Sequence, residues 1–101
     1  MIKLEKNLEK KITTKAIKLG FMVKKFEAEK GDPDRIFFSK HICPHCKSGK
    51  VFFIEFKSAK GKLTKLQQKK ISELVEYNQN VFVVNNEELG LEILTEFIDD
   101  A

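Results

Sequence analysis

Glu55 and Lys57 are two charged residues at the end of an otherwise apolar stretch, residues 51–57. Alternate side chains of a β-strand face opposite sides of the sheet, and both sides of this stretch are otherwise apolar. We therefore predict a central, covered strand with Glu55 and Lys57 on one face at its end. Burying a carboxylate or an ammonium group is costly unless it is paired or bound to a metal. The two residues form either an ion pair that emerges into solvent or part of a reactive site.

A second carboxylate is expected beside Glu55. Asp34 follows the turn 31–33 and opens another predicted strand, 34–40, which would pair with 51–57 as an antiparallel hairpin. In such a hairpin the start of the first strand lies beside the end of the second, so Asp34 lies near Glu55. An Asp after Pro is usually only a turn residue, and Asp34 alone would prove little.

The predicted N-terminal helix offers two more acids. Its apolar stripe consists of Leu4, Leu8, Ile12, Ala16 and Leu19. Glu9 lies about 60° from the centre of this stripe, and Glu5 lies closer to it. The simple interpretation is that these glutamates bury only their aliphatic stems. Two acids on this face make a functional role more attractive.

Gln67 has two interpretations. Thr64 and Gln67 have the spacing of a capping box, which would make Gln67 a helix cap. Gln67, Ile71 and Leu74 also follow one another at i, i+4 and i+7, so the amide would share the apolar helix face that meets the sheet. This position favours a site role over a simple cap.

Seven elements position these residues. They are a helix over 2–19 capped by Gly20, strands over 21–27, 34–40, 51–57 and 81–84, a helix from Thr64 to Tyr77, and a helix opened by Asn85 and Glu88 that ends near Ile98. The strand 81–84 is apolar at all four positions, which predicts burial on both faces. The order α-β-β-β-α-β-α predicts a mixed sheet with helices on both faces, an α/β sandwich.

The composition fits one domain. The chain has 101 residues, of which 42% are hydrophobic and 34% charged, which is enough for one packed core. Its longest apolar runs, 51–54 and 81–84, are much shorter than the about 20 residues of a membrane-spanning helix. The N-terminus also lacks the apolar region of a signal peptide. We expect a single domain over 1–101, cytoplasmic and without a membrane partner.

The basic residues are clustered. Lys and Arg number 19 against 15 Asp and Glu, a formal net charge of +4. This modest excess says little about partners, but lysines concentrate between 57 and 70 and between 3 and 18. Solvated helix faces and a surface for nucleic acid explain these clusters equally well.

Three motifs follow one another with compatible spacing: Gly-Asp-Pro-Asp-Arg at 31–35, Phe-Ile-Glu-Phe-Lys at 53–57, and Gly-Lys-Leu-Thr-Lys-Leu-Gln at 61–67. Together they resemble the VRR-NUC family of the PD-(D/E)XK nuclease superfamily. The resemblance implies a restriction-endonuclease-like α/β/α core. It favours Glu9 over Glu5 as the family's helix glutamate, with Glu5 left open. The segment 41–49 is an insertion that the family pattern does not require.

The resemblance implies metal-dependent hydrolysis of DNA phosphodiester bonds, and the residue types suit it. Asp34 and Glu55 are hard oxygen ligands of the kind that Mg²⁺ and Mn²⁺ prefer. Glu9 would complete the ligand set or hold a metal-bound water, and the backbone carbonyl of Phe56 would add an oxygen. The predicted metal ligands are therefore Glu9, Asp34, Glu55 and Phe56.

Two further side chains have implied catalytic roles. Lys57 would orient the attacking water or stabilise the charge that develops on the phosphate. Gln67 would hold the lysine or the water. The predicted catalytic residues are Asp34, Glu55, Lys57 and Gln67.

Lys60, Lys62 and Lys65 directly follow the strand that carries Glu55. Lysines there would contact the DNA backbone, which gives affinity with little sequence information. No motif for reading base sequence is present, so we expect a structure-selective or weakly selective nuclease. The resemblance to the VRR-NUC family implies action on branched or junction DNA. The resemblance further implies a homodimer. The alternative is a non-catalytic DNA-binding module that keeps the nuclease fold.

Cys43 and Cys46 are too few and too close for a disulfide framework. Their C-x-x-C spacing supplies half of a tetrahedral zinc site, to which His41 or His45 could add a ligand. A structural zinc ion and two free thiols in a reducing compartment are equally good interpretations.

Overall fold

The elements follow the predicted order α-β-β-β-α-β-α. The computed structural model describes residues 2–42 and 49–98, with side chains over 5–40 and 50–98. The elements are α1 (Ile2–Lys18), β1 (Met22–Lys25), β2 (Arg35–Ile42), β3 (Gly49–Phe56), α2 (Lys65–Glu76), β4 (Asn80–Val84) and α3 (Glu87–Ile98). Asp34 and Lys57 lie one residue outside the strands that were expected to contain them.

The strands form one mixed sheet in the order β1-β2-β3-β4. β2 pairs antiparallel with both β1 and β3, and β4 pairs parallel with β3. The predicted hairpin of β2 and β3 is confirmed, with Arg35 opposite Ile54 at the end that carries the charged residues. β3 therefore lies inside the sheet, and its last residues have a strand on each side, β2 and β4.

The hydrophobic core lies on one face of the sheet, beneath α1 and α3. Phe52 is its centre: its ring stacks on Phe37 at 4.9 Å and on Phe97 at 4.2 Å. Ile12 of α1 and Leu94 of α3 are fully buried in the same cluster. Each large apolar side chain buried here contributes about 1.5–3 kcal/mol. This packing fixes α1 against the sheet.

α1 and α3 approach each other closely at Gly90. A Cβ atom on Gly90 would lie 2.5 Å from Cδ1 of Ile12, which is closer than carbon atoms pack. The absence of a side chain at this position therefore sets the distance between the two helices. It also determines how α1 lies over the sheet.

α2 lies on the opposite face of the sheet, and its first turn contacts the end of the β2–β3 hairpin that carries Glu55. Its N-terminus is capped by Thr64, whose side chain accepts from the Gln67 backbone while the Gln67 side chain accepts from the Thr64 backbone. The predicted capping box is confirmed. Gly31, with φ +91°, lies against Leu66, so that a Cβ there would be 2.7 Å from Leu66 Cγ. This contact joins the turn before Asp34 to the start of α2.

Three details differ from the sequence expectations. Val83 is 37% exposed because β4 is an edge strand among the described residues, so burial of 81–84 on both faces was wrong. Leu19 is 42% exposed because α1 ends at Lys18, so Leu19 lies outside the helix whose apolar stripe was expected to include it. The cap of α3 is Asn86 rather than Asn85, since Asn86 Oδ1 accepts from the Leu89 backbone.

No helix in the described part of the chain is long and apolar enough to cross a membrane.

Candidate active site

The antiparallel hairpin places Asp34 beside the end of β3. Asp34 Oδ2 accepts a hydrogen bond from the backbone N–H of Phe56 at 2.8 Å. The neighbouring residue, Glu55, is only 3% exposed and lies on the sheet face that α2 covers. The predicted convergence of Asp34 and Glu55 follows directly from the strand register.

Burial and neighbouring charges disfavour the ionisation of both carboxyl groups. The pKa of Glu55 is raised to about 8, first by burial and then by the nearby Asp34 carboxyl, whose effect exceeds the lowering by Lys57. Burial also raises the pKa of Asp34 to about 6, against the lowering effect of the hydrogen bond from Phe56. Near neutral pH this part of the protein therefore holds protons that free carboxyl groups would release. A cation between the two groups would displace those protons.

Gln67 and Lys57 both contact the Glu55 carboxylate. Gln67 Nε2 donates to Glu55 Oε2 at 3.0 Å, and Lys57 Nζ lies 3.8 Å from the same oxygen. The Lys57 side chain is 13% exposed. Gln67 therefore takes both predicted positions, at the helix cap and in the site. Its Oε1 accepts from the Thr64 backbone at the cap of α2, and its Nε2 reaches Glu55. In this structure the amide contacts the carboxylate rather than the lysine.

α1 brings both of its glutamates to the site. Glu5 Oε1 accepts from the backbone N–H of Ser58 at 3.2 Å, and the Glu5 charge raises the pKa of Glu55. Glu9 Oε2 pairs with Arg35 Nε at 2.6 Å, and the Glu9 charge raises the pKa of Asp34. Each glutamate therefore adjoins one of the central carboxyls. The choice between Glu5 and Glu9 stays a prediction.

Sequence reasoning missed Glu27 and gave Arg35 no role. The Glu27 side chain hydrogen-bonds to Asp34, and its charge raises the pKa of both Asp34 and Glu55. The sequence contained a signal for this: the predicted strands over 21–27 and 34–40 are joined by the turn 31–33. β1 does pair antiparallel with β2, so the residues after β1 lie beside those before β2. The backbone N–H of Phe26 donates to the carbonyl of Asp34 at 3.1 Å, which fixes this neighbourhood.

Comparison with known proteins identifies this architecture. A solved structure described as a VRR_NUC domain matches with a TM-score of 0.72, over 93% of this chain and 97% of that chain. The chain has the VRR_NUC fold. At 23% sequence identity the likeness shows the fold alone, and fold does not by itself assign an activity. No protein-family model matches the sequence, and no curated protein matches it significantly.

The metal expected of a nuclease with the VRR_NUC fold can be tested against the donors present. Among residues 5–40 and 50–98, no three His, Cys, Asp or Glu side chains form a group that could hold a metal ion. Glu9 is held by Arg35 and Glu5 by Ser58. Asp34 and Glu55 nevertheless fit Mg²⁺ or Mn²⁺, because Mg²⁺ is commonly bound by one or two carboxylates, with water and substrate phosphate oxygens as its other ligands.

The remaining predicted residues lie around this group or outside the described part. Lys60 and Lys62 are exposed between β3 and α2, and Lys65 is exposed as the first residue of α2. The Phe56 backbone donates to Asp34 through its N–H, while the role of its carbonyl stays a prediction. Cys43, Cys46 and His45 lie outside the described residues, as does the His41 side chain.

Proposed function

We propose that the protein is a Mg²⁺- or Mn²⁺-dependent DNA endonuclease that hydrolyses phosphodiester bonds. The observation that carries this proposal is the pair of carboxyl groups formed by buried Glu55, near the end of β3 in a VRR_NUC fold, and part-buried Asp34 beside it. Groups with pKa values near 6 and 8 stay partly protonated in the absence of a cation. Such a pair lowers the free energy of unfolding at neutral pH. Groups with pKa values shifted in this way are frequent at functional sites, and binding of a divalent cation would be the function of this pair.

The surrounding side chains would prepare the pair. Gln67 fixes the Glu55 carboxylate through one oxygen and leaves the other for a ligand. Lys57 carries its ammonium group beside the same carboxylate, where it would stabilise negative charge that develops on a phosphate. A divalent cation bound by Asp34 and Glu55 would polarise the scissile phosphate and lower the pKa of a water molecule.

The substrate surface would include Lys60, Lys62 and Lys65, which are exposed directly after the strand that carries Glu55. Contacts from lysines to phosphates hold DNA without reading its sequence. Selectivity for branched or junction DNA and action as a homodimer are the finer parts of this proposal, and they rest on the resemblance to the VRR-NUC family. Size-exclusion chromatography with light scattering measures the oligomeric state.

The test is cleavage of a panel of single-stranded, duplex, flap and four-way DNA substrates, with Mg²⁺, with Mn²⁺ and with EDTA. We expect cleavage that needs the metal and is lost in Asp34→Asn. The matched control is Asp32→Asn in the same turn, whose carboxylate accepts from the backbone N–H of Glu29, and this variant should keep its activity. Equal cleavage by Asp34→Asn and the wild type would contradict the assignment.

A non-catalytic DNA-binding module is the second candidate, and one observation favours it. No described group of three acidic or metal-binding side chains is assembled, since Arg35 holds Glu9. This candidate keeps the lysines but does not need the metal. Wild-type protein that cuts no member of the panel, together with Glu55→Gln protein that binds DNA normally, would favour it over the nuclease.

A further inference from the structure

The charges of α1 are divided between two sides of the helix. Both described glutamates, Glu5 and Glu9, contact the site through Ser58 and Arg35. The lysines from Lys10 onward are exposed instead and line a groove of about 460 Å³ between α1 and α3. The basic residues of this groove are Lys10, Lys11, Lys15 and Lys18, with Thr14 between them.

A second cavity adjoins this groove and is lined by neighbours of Asp34. It has a volume of about 480 Å³ and is lined by the Glu9–Arg35 pair and by Glu27, which hydrogen-bonds to Asp34. Lys10 and Thr14 line both cavities. The two cavities therefore adjoin each other along α1, and the lysines of the groove continue toward the Glu9–Arg35 pair, where the Glu9 charge acts on Asp34.

We propose that this surface, the α1 track, binds the sugar–phosphate backbone of duplex DNA beyond the cleavage site. The α1 track consists of Lys10, Lys11, Lys15 and Lys18. This inference rests on the proposed nuclease function and extends its substrate contacts to a side of the molecule that the Lys60–Lys65 segment does not occupy. It makes the lysines of α1 part of substrate binding rather than a solvated helix face.

The dimensions and composition of the α1 track match a DNA backbone. The ten residues from Glu9 to Lys18 span about 14 Å along the helix axis. This length corresponds to about four phosphates of one strand at roughly 3.4 Å of axial rise each. Leu91 is the apolar residue that lines the groove, and no aromatic ring does so. The α1 track is therefore suited to phosphates rather than to stacked bases.

Three of the four lysines are available to a ligand. Of the four lysines, only Lys11 forms an ion pair with a described residue, its Nζ lying 3.8 Å from Glu87 Oε1. Lys15 and Lys18 lie in the last turn of α1, where they also complement the helix dipole. That structural role predicts only a small loss of stability when they are neutralised. A role in DNA binding predicts a loss of affinity that depends on salt.

The experiment measures binding to a duplex of random sequence in EDTA, so that no cleavage occurs, at several salt concentrations. The test variant is Lys15→Gln with Lys18→Gln, since Gln keeps helix propensity. The matched control is Lys30→Gln with Lys69→Gln, which removes the same charge from exposed positions that line neither cavity. Thermal melting checks that both double variants stay folded.

We expect the slope of log K against log salt to fall by about 2 in the test variant, because each lost phosphate contact removes about 0.9. Between 50 and 200 mM salt, its affinity should then vary about tenfold less than that of the wild type. The control should keep the wild-type slope within about half a unit. Glu87→Gln should bind more tightly than the wild type, because it frees Lys11.

Equal slopes for the test and control variants would overturn the α1 track, because affinity would then follow net charge alone. Unchanged binding by the test variant would overturn it as well and leave the nuclease proposal standing. Wild-type protein that binds no DNA at all would instead contradict the proposed function itself. The two failures are therefore distinguishable.

Discussion

Gln67 donates a hydrogen bond from Nε2 to Glu55 Oε2 over 3.0 Å, while its own Oε1 accepts from the backbone of Thr64. One side chain thus connects the first turn of α2 to the buried carboxylate of β3. The start of α2 cannot move away from the sheet without releasing Glu55. The capping box of α2 therefore also orients Glu55.

Gln67→Ala and Thr64→Ala separate these two roles. Each removes one part of the capping box, and each should lower the free energy of unfolding by about 1 kcal/mol. Only Gln67→Ala also removes the contact with Glu55. We expect it to weaken Mn²⁺ affinity or cleavage about 10- to 100-fold, as is typical when a ligand loses its orienting partner. Denaturant unfolding and metal titration measure the two effects.

Thr64→Ala is the control, since it should keep metal affinity within about twofold. Equal losses of metal affinity in both variants would mean that Gln67 acts only through the helix cap.

The raised pKa of Glu55 predicts that the metal-free protein loses stability as pH rises. Glu55 has a pKa of about 8 when folded, against a reference value of 4.5. Between these values the folded state holds more protons than the unfolded state, so its stability is full below pH 4.5 and falls up to about pH 8. Glu55→Gln removes this dependence and should be more stable than the wild type at pH 8.5, by on the order of a few kcal/mol. Thermal melting in EDTA across this pH range measures the effect.

Mn²⁺ at pH 8 should raise the melting temperature of the wild type and leave Glu55→Gln almost unchanged, because a ligand stabilises only the state that binds it. Glu96→Gln removes an exposed carboxylate of α3 and serves as the matched control. A wild-type protein that becomes more stable in EDTA between pH 5 and 8 would show that Glu55 is ionised throughout.

Strand periodicity and hairpin pairing were sufficient to predict the centre of the site. Glu55 and Lys57 stood out because they interrupt an apolar strand, and antiparallel pairing then placed Asp34 beside them. The position of Gln67 followed from helical spacing. These inferences depend on local geometry, which a sequence encodes strongly.

The residues that sequence reasoning missed depend on packing between elements. Glu27 follows an edge strand whose register was not predicted, and Arg35 was not expected to pair with a helix 26 residues earlier. The exposure of Val83 depends on the absence of a further strand beyond β4 among the described residues. Apolar character alone cannot distinguish an edge strand from a central one.

The Glu9–Arg35 pair should contribute measurably to stability because both side chains are largely buried, at 22% and 23% exposure. A double-mutant cycle with Glu9→Gln and Arg35→Gln should give a coupling energy of about 1–2 kcal/mol. The Lys11–Glu87 pair is exposed and serves as the control, with an expected coupling below about 0.5 kcal/mol. Denaturant unfolding of the two cycles makes the comparison, and equal couplings would contradict it.

Glu9→Gln and Glu5→Gln together identify the carboxylate of α1 that takes part in metal binding. We expect the larger loss of Mn²⁺ affinity in Glu9→Gln, since the family resemblance favours Glu9. Isothermal titration of both variants makes the comparison under identical conditions. A larger loss in Glu5→Gln would assign the role to Glu5, which adjoins Glu55 through Ser58.

Replacing Cys43 and Cys46 by serine should leave the catalytic metal unaffected. The pairing of β2 and β3 runs from Arg35 and Ile54 at the site to Ile42 and Gly49, which is roughly 24 Å of strand. If the cysteines bind zinc, metal analysis should find one zinc per chain, or half if two chains share it, and the variant should melt at a lower temperature. Loss of cleavage in an equally stable variant would show that this segment reaches the site.

The contacts that close the site differ widely in their separation along the chain. Asp34 and Phe56 are 22 residues apart and belong to one hairpin, whereas Glu5 and Ser58 are 53 residues apart. Longer loops cost more entropy to close, so the hairpin can form its part of the site before α1 is in place. Brief undocking of the start of α1 would release the Ser58 amide while the sheet stays intact. Hydrogen exchange at Ser58 should therefore be faster than at Phe56, and the difference reports how often the site opens in the folded protein.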